Sequence, residues 1–245
     1  MLSSKLECSP FILAEPLKVA DYFIGLDVAH ERKRKTGGTK NACACVRIYG
    51  ASGQFIKYKL ADSRIEGEEI PIEVIRKLLP FEDLFEKKVL IFRDGRFKGK
   101  EINFLKERAE AIGAKFIFVE ITKTGACRLF NQLTSLDQEG KKNQITLQKP
   151  SQYLIFKHSE REATIATTKP LTGLVQPIRV TIAQDGEIPS LDDVLEAVIK
   201  LCLLHHRSYK EAGIPMPIYS SDKIGYKTLK GLYHLEREGE KQWWH

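Results

Sequence analysis

Apolar and polar positions divide the chain into short strands and a few amphipathic helices. Tyr22-Phe23-Ile24-Gly25-Leu26-Asp27-Val28-Ala29 is a nearly continuous apolar run broken by one acid, the pattern of a buried strand. Strand-like runs follow at residues 42–48 and 55–60, separated by Tyr49-Gly50-Ala51-Ser52-Gly53, so the opening predicts an antiparallel meander. Pro71 starts an amphipathic helix with Ile72, Ile75, Leu78 and Leu79 along one side. Val89-Leu90-Ile91-Phe92 predicts an interior strand, residues 101–112 a helix ended by Gly113, and residues 115–121 a further strand. Strand–helix–strand in this order implies parallel neighbours. Residues 132–150 are polar and read as a loop, while 153–156 and 178–182 read as strands. Ser190 caps a helix over 190–206 with Asp193 at the capping-box position, and a last helix over 219–234 carries Ile224, Leu229 and Leu232.

Residues 1–20, with Pro10 and Pro16 and no clear period, form an irregular lead-in, and 21–245 form one domain. A meander, then a βαβ unit, then a late helix predicts an α/β, RNase H-like fold with a central mixed five-stranded sheet flanked by helices. The 245 residues suffice for one large core, and the formal charge of +7 with a pI near 9.0 favours a polyanionic partner without establishing one. Cys8, Cys43, Cys45, Cys127 and Cys202 match neither a metal knuckle nor a disulfide framework; Cys43 and Cys45 read as small buried hydrophobes on one strand face. No secretory signal opens the chain and no apolar run approaches the roughly 18 residues of a membrane span, so a cytoplasmic protein without a membrane partner is expected.

The informative residues are acids placed where acids are costly. Asp27 shares a strand face with Phe23 and Gly25, and a carboxylate on a covered face needs a cation or several donors. Asp94 ends a strand and precedes Gly95, the edge at which open α/β sheets place their sites, although Asp-Gly is also an ordinary turn. Asp222, after Pro215-Met216-Pro217-Ile218-Tyr219-Ser220-Ser221, would read alone as a helix-capping acid. Glu68 lies in the acidic stretch Arg64-Ile65-Glu66-Gly67-Glu68-Glu69-Ile70-Pro71. Such a set suits phosphodiester hydrolysis, in which two hard divalent ions about 3.5–4 Å apart are held by carboxylates. No Cys/His constellation and no Walker-type loop competes.

Phe23-Ile24-Gly25-Leu26-Asp27-Val28, Gly67-Glu68-Glu69-Ile70-Pro71, Phe92-Arg93-Asp94-Gly95-Arg96 and Pro215-Met216-Pro217-Ile218-Tyr219-Ser220-Ser221-Asp222-Lys223 occur in order, with Lys123-Thr124-Gly125-Ala126-Cys127-Arg128 between them. Together they resemble the PIWI domain of long prokaryotic Argonautes, from about residue 10 to the C-terminus. The resemblance implies an Asp-Glu-Asp-Asp tetrad of Asp27, Glu68, Asp94 and Asp222. In the family the three aspartates bind Mg²⁺ or Mn²⁺ as a two-ion site, and the glutamate enters on a mobile loop once guide and target are paired. Glu66 and Glu69 are rivals for the glutamate, and His234 for the fourth position. Arg93, Arg96, Lys98, Lys123, Arg128 and Lys223 adjoin the motifs and could meet phosphates; the resemblance favours Lys123, Arg128 and Lys223, and it brings the C-terminal carboxylate of His245 to the guide's 5′ end.

The implied function is that of a guide-directed endonuclease with guide and target strands as partners. Long Argonautes carry N-terminal, PAZ and MID domains ahead of this module. A separate chain carrying those domains is therefore expected as partner, with this chain a split or excised part. A stand-alone RNase H-type nuclease and a non-catalytic guide- or target-binding subunit are the alternatives.

Overall fold

A computed structural model describes residues 12–32, 39–63, 69–123, 131–136, 142–148, 154–167, 176–183, 188–205, 213–229 and 237–240. At 30–32, 39–43, 62, 63, 131–136, 142–148, 222–226, 228 and 229 only the backbone is described. The meander is β1 (Tyr22–Arg32), β2 (Thr39–Gly50) and β3 (Phe55–Ser63), antiparallel as the alternation predicts. Helix α1 (Ile72–Leu78) starts after Pro71 and buries Val74, Ile75 and Leu78. The βαβ unit follows as β4 (Lys88–Asp94), α2 (Glu101–Ala111) and β5 (Lys115–Thr122), with β4 parallel to both β1 and β5.

The stretch expected to be a loop contains a ribbon of its own, β6 (Asn131–Leu136) paired with β7 (Lys142–Gln148) outside the main sheet. Its strands are rich in Gln, Thr and Asn, so no apolar alternation announces them. Beyond it lie β8 (Leu154–Lys157), β9 (Glu162–Ala166) and β10 (Ile178–Ile182), then α3 (Leu191–Leu203), α4 (Met216–Leu229) and the short β11 (Glu238–Gly239). Among the described residues the main sheet has nine strands in the order β11-β3-β2-β1-β4-β5-β10-β9-β8. The expected five, β3-β2-β1-β4-β5, form a contiguous block, and antiparallel additions extend it on both sides.

Each face of the sheet is packed. Ile24, Leu26, Val89, Ile91 and Phe118 meet α1 and α2 on one side. Phe23, Phe92, Val119, Val180 and Ile165 meet α3 and the start of α4 on the other. Two residues differ from their sequence reading. Ser190 occupies the N-cap of α3, yet its side chain makes no capping hydrogen bond. Helix α4 begins at Met216 rather than 219, since a proline in the first turn lacks only an N–H that would have no helical partner. Asp222 therefore sits in the second turn of α4, which removes the reading of it as a cap.

Candidate active site

Strand β1 carries the first acid through the middle of the sheet. Its parallel register with β4 runs from Tyr22 opposite Val89 to Leu26 opposite Arg93, so the next step brings Asp27 beside Asp94. The strand period of two sends both carboxylates to the face holding Phe23 and Phe92, whose rings stack at 6.5 Å. Asp27 is 6% exposed, the buried acid on a covered face that the alternation implied. Asp94 is the last residue of β4, and Gly95 at φ +83° turns the chain away with its N–H donating to the Ile121 carbonyl at 2.9 Å. The pair thus lies at the C-terminal edge of the parallel strands, where open α/β sheets place ligands.

The third element reaches this edge by a close approach. A Cβ on Gly25 would stand 2.2 Å from the carbonyl carbon and oxygen of Pro217 and 2.8 Å from the Ile218 nitrogen, so only glycine lets α4 seat there. The Ser221 hydroxyl lies 3.3 Å from the Gly25 carbonyl and 2.8 Å from that of Pro217, bonding the helix to β1. Asp222 is the next residue, and Gly25 is two residues before Asp27. Of Asp222 and Lys223 the backbone is described within α4 and the side chains are not. Glu66, Glu68, Arg128, His234 and His245 lie outside the described residues. Among the described residues no group of three or more His, Cys, Asp or Glu side chains forms a metal cluster. The two acids that are described offer hard oxygen donors from adjoining strands, which fits Mg²⁺ or Mn²⁺ in chemistry.

The basic residues divide. Lys123 Nζ stands 2.5 Å from Asp94 Oδ2 and keeps 37% of its side chain exposed, and exposed Arg96 follows Asp94 by two residues, so both lie at the same edge. Arg93 does not. Alternation turns it to the opposite face, where it is 3% exposed and bound to Glu101, so it is not available to phosphates.

Glu101 and Glu120, which the sequence reading passed over, organise the ground behind Asp94. Glu101, first residue of α2 and 1% exposed, accepts from the Ile70 N–H at 2.8 Å, the Lys98 N–H at 3.3 Å and Arg93 Nε at 3.4 Å. Burial pushes its carboxyl above the ordinary range, against the pull of Arg93 and the two backbone donors. Half-buried Glu120 accepts from the Phe97 N–H at 2.9 Å and is likewise raised by burial. Glu69, a rival for the loop glutamate, is tied down by the Lys100 N–H at 3.1 Å. The only sequence signal for Glu101 was an acid at a helix start, which ordinarily marks dipole matching.

A profile of the Piwi domain family matches residues 2–232 of the chain. The argonaute protein of Aquifex aeolicus (strain VF5) is 27% identical over 243 residues, covering 96% of this chain and 31% of that protein. A solved Aquifex aeolicus Argonaute matches with a TM-score of 0.70 and 25% identity over 100% of this chain and 34% of its own. Clostridium butyricum Argonaute, solved with a guide DNA and a 19-mer target DNA, matches with a TM-score of 0.77 and 18% identity, over 100% of this chain and 31% of its own. The chain spans about a third of the length of these relatives, and its fold is the RNase H-like fold of their PIWI domains.

Proposed function

The chain belongs to the Piwi domain family, and from that premise we propose that it is the nuclease module of an Argonaute, hydrolysing a phosphodiester in a strand paired to a nucleic-acid guide. The observation that carries this reading is the pairing of Asp27 and Asp94 on adjoining parallel strands, on one face, at the edge to which Gly25 admits α4.

In this reading Asp27, Asp94 and Asp222 hold Mg²⁺ or Mn²⁺, and Glu68 completes the site. Such ions, when bound, acidify the attacking water and offset charge on the departing oxygen. The chain's own residues supply placement. The parallel register fixes Asp27 against Asp94, the Ser221 hydroxyl fixes α4 against β1, and the packed face beneath excludes water from the buried side of Asp27. Lys123, Arg96, Arg128 and Lys223 meet backbone phosphates of the paired strands, and the His245 carboxylate lies towards the guide's 5′ end. Domains corresponding to the rest of the relatives' length complete the guide pocket.

The test is cleavage of a labelled single-stranded target with a complementary guide and Mn²⁺, by wild type and Asp94→Ala, with and without those domains. One cut at a fixed distance from the guide's 5′ end, absent in Asp94→Ala, is expected. Guide-dependent target binding without cutting under every condition would leave a binding subunit instead, and equal cutting of any hybrid would leave an unguided RNase H-type nuclease.

A further inference from the structure

Two strand ends bring a lysine onto one of the candidate acids. Strand β5 ends at Thr122, and Lys123 is the next residue. The Gly95 N–H donates to the Ile121 carbonyl at 2.9 Å, so the chain leaving β4 after Asp94 is stapled to the chain leaving β5 two residues before Lys123. From that base Lys123 Nζ reaches Asp94 Oδ2 at 2.5 Å. The Asp94 side chain is 18% exposed and that of Lys123 37%, so the pair lies at the rim of the site, partly withdrawn from bulk water.

The parallel register sets Asp27 beside Asp94 on one face, and two carboxylates so placed repel each other. A divalent ion relieves that repulsion, and so does an amino group carried by the chain. Both remedies draw on the same carboxylate. An ionised aspartate offers about four acceptor directions on its two oxygens, so one ammonium does not fill Asp94. What the ammonium changes is the charge that an arriving cation meets. A divalent ion settling on Asp94 either displaces Lys123 or rests beside a like charge a few ångströms away, and each costs binding free energy. Lysine suits this place, because a compact charge on a flexible stem can swing aside while β5 stays where it is.

Resting on the nuclease reading above, we propose that Lys123 is a resident counter-ion of Asp94 that contends with the divalent ion for this carboxylate. It thereby holds the metal affinity of the site below what the acids alone would give. Metal entry turns the ammonium away from Asp94 and towards a backbone phosphate.

The experiment titrates Mn²⁺ into the whole chain by calorimetry, without nucleic acid, for wild type, Lys123→Met, Lys123→Arg and Asp94→Ala. Lys123→Met keeps a stem of similar length and removes its charge, so the Mn²⁺ Kd should fall about fivefold or more. Lys123→Arg keeps the charge and should bind within about twofold of wild type or more weakly, while Asp94→Ala should lose this binding. A Kd within about twofold of wild type in Lys123→Met overturns the proposal, and weaker binding there overturns it in favour of a lysine that orients Asp94 for the metal. Both results leave the nuclease reading standing, because binding still depends on Asp94. Mn²⁺ binding that Asp94→Ala leaves intact, or that neither wild type nor Lys123→Met shows, fails the nuclease reading and the proposal with it.

A cycle of thermal unfolding in chelator, over wild type, Lys123→Met, Asp94→Asn and the double variant, judges the pair without any metal. Losses in Tm that are not additive support it, and additive losses refute it. Should Lys123→Met fail to fold, Lys123→Gln takes its place and is judged by the same outcomes.

Discussion

Replacing Gly25 with alanine tests the seating of α4 on β1 by a single methyl group. The new Cβ would lie 2.2 Å from two backbone atoms of Pro217, where ordinary contacts begin near 3.4 Å. The strand and the helix must therefore separate by about 1.2 Å, and because the obstructing atoms are main chain no side-chain rotation relieves them. Overpacking of this kind costs about 1–3 kcal/mol, and a shift of that size also breaks the bond from Ser221 to the Gly25 carbonyl, adding about 1 kcal/mol. At about 2–4 °C per kcal/mol for a domain of this size, calorimetry should show Tm lowered by roughly 4–16 °C. Cleavage should suffer more than stability, since a displacement near 1 Å of the helix carrying Asp222 is expected to lower the saturated rate by about 100-fold. Val180→Ala, truncating a buried residue of the same apolar cluster on β10, supplies the control: a few degrees lost in Tm, with the rate of the folded fraction little changed. A Gly25→Ala protein that melts within about 1 °C of wild type and cuts normally would show that the helix does not sit against β1 as described.

Other expectations follow from the same contacts. Burial holds Glu120 above its ordinary value of 4.5, so the native state retains a proton that the unfolded chain has released. Stability should therefore decline as pH rises from 4.5 through the folded value, and Glu120→Gln should flatten that part of a Tm-against-pH curve; an unaltered slope contradicts the assignment. Lys123→Ala should weaken target binding similarly for all sequences and reduce the slope of log K against log salt by roughly 0.7–0.9, as loss of one phosphate contact does; an unchanged slope means Lys123 serves Asp94 alone. Phe92→Ala, removing a fully buried ring stacked on Phe23, should cost about 3–5 kcal/mol in urea unfolding, and a loss under about 1 kcal/mol would mean that face is loosely packed.

Much of the centre was legible in the sequence because burial there follows local period. The run from Tyr22 to Ala29 signalled a doubly covered strand, and the shared face of Phe23 and Asp27 followed from alternation alone. Alternation also contained the fact that Arg93 opposes Asp94 across the sheet, although proximity in the motif suggested a common role in phosphate contact. What escaped was set by contacts between distant segments. The capture of Ile70 by Glu101 joins residues 31 apart, and nothing in either neighbourhood predicts it. Strand β9, Glu-Ala-Thr-Ile-Ala, is buried by its neighbours rather than by a distinctive pattern of its own. The start of α4 was hidden because prolines punctuate most sequences, and only the helix itself shows that Pro217 falls where its missing N–H costs nothing.

The widened sheet also has a consequence for behaviour at high concentration. The nine described strands present two margins, and an open margin is a template on which another molecule can continue the ladder. Here the margins are short. Strand β11 has two residues and β8 has four, against twelve in β2 near the middle. At β8 the exposed Ile155 and Phe156 would invite pairing, but the strand ends at Lys157, a charge held by Asp192 of α3. At the β8 border the sheet is thus shielded from intermolecular growth by brevity and a lysine, a defence against aggregation built into an outermost piece of the fold.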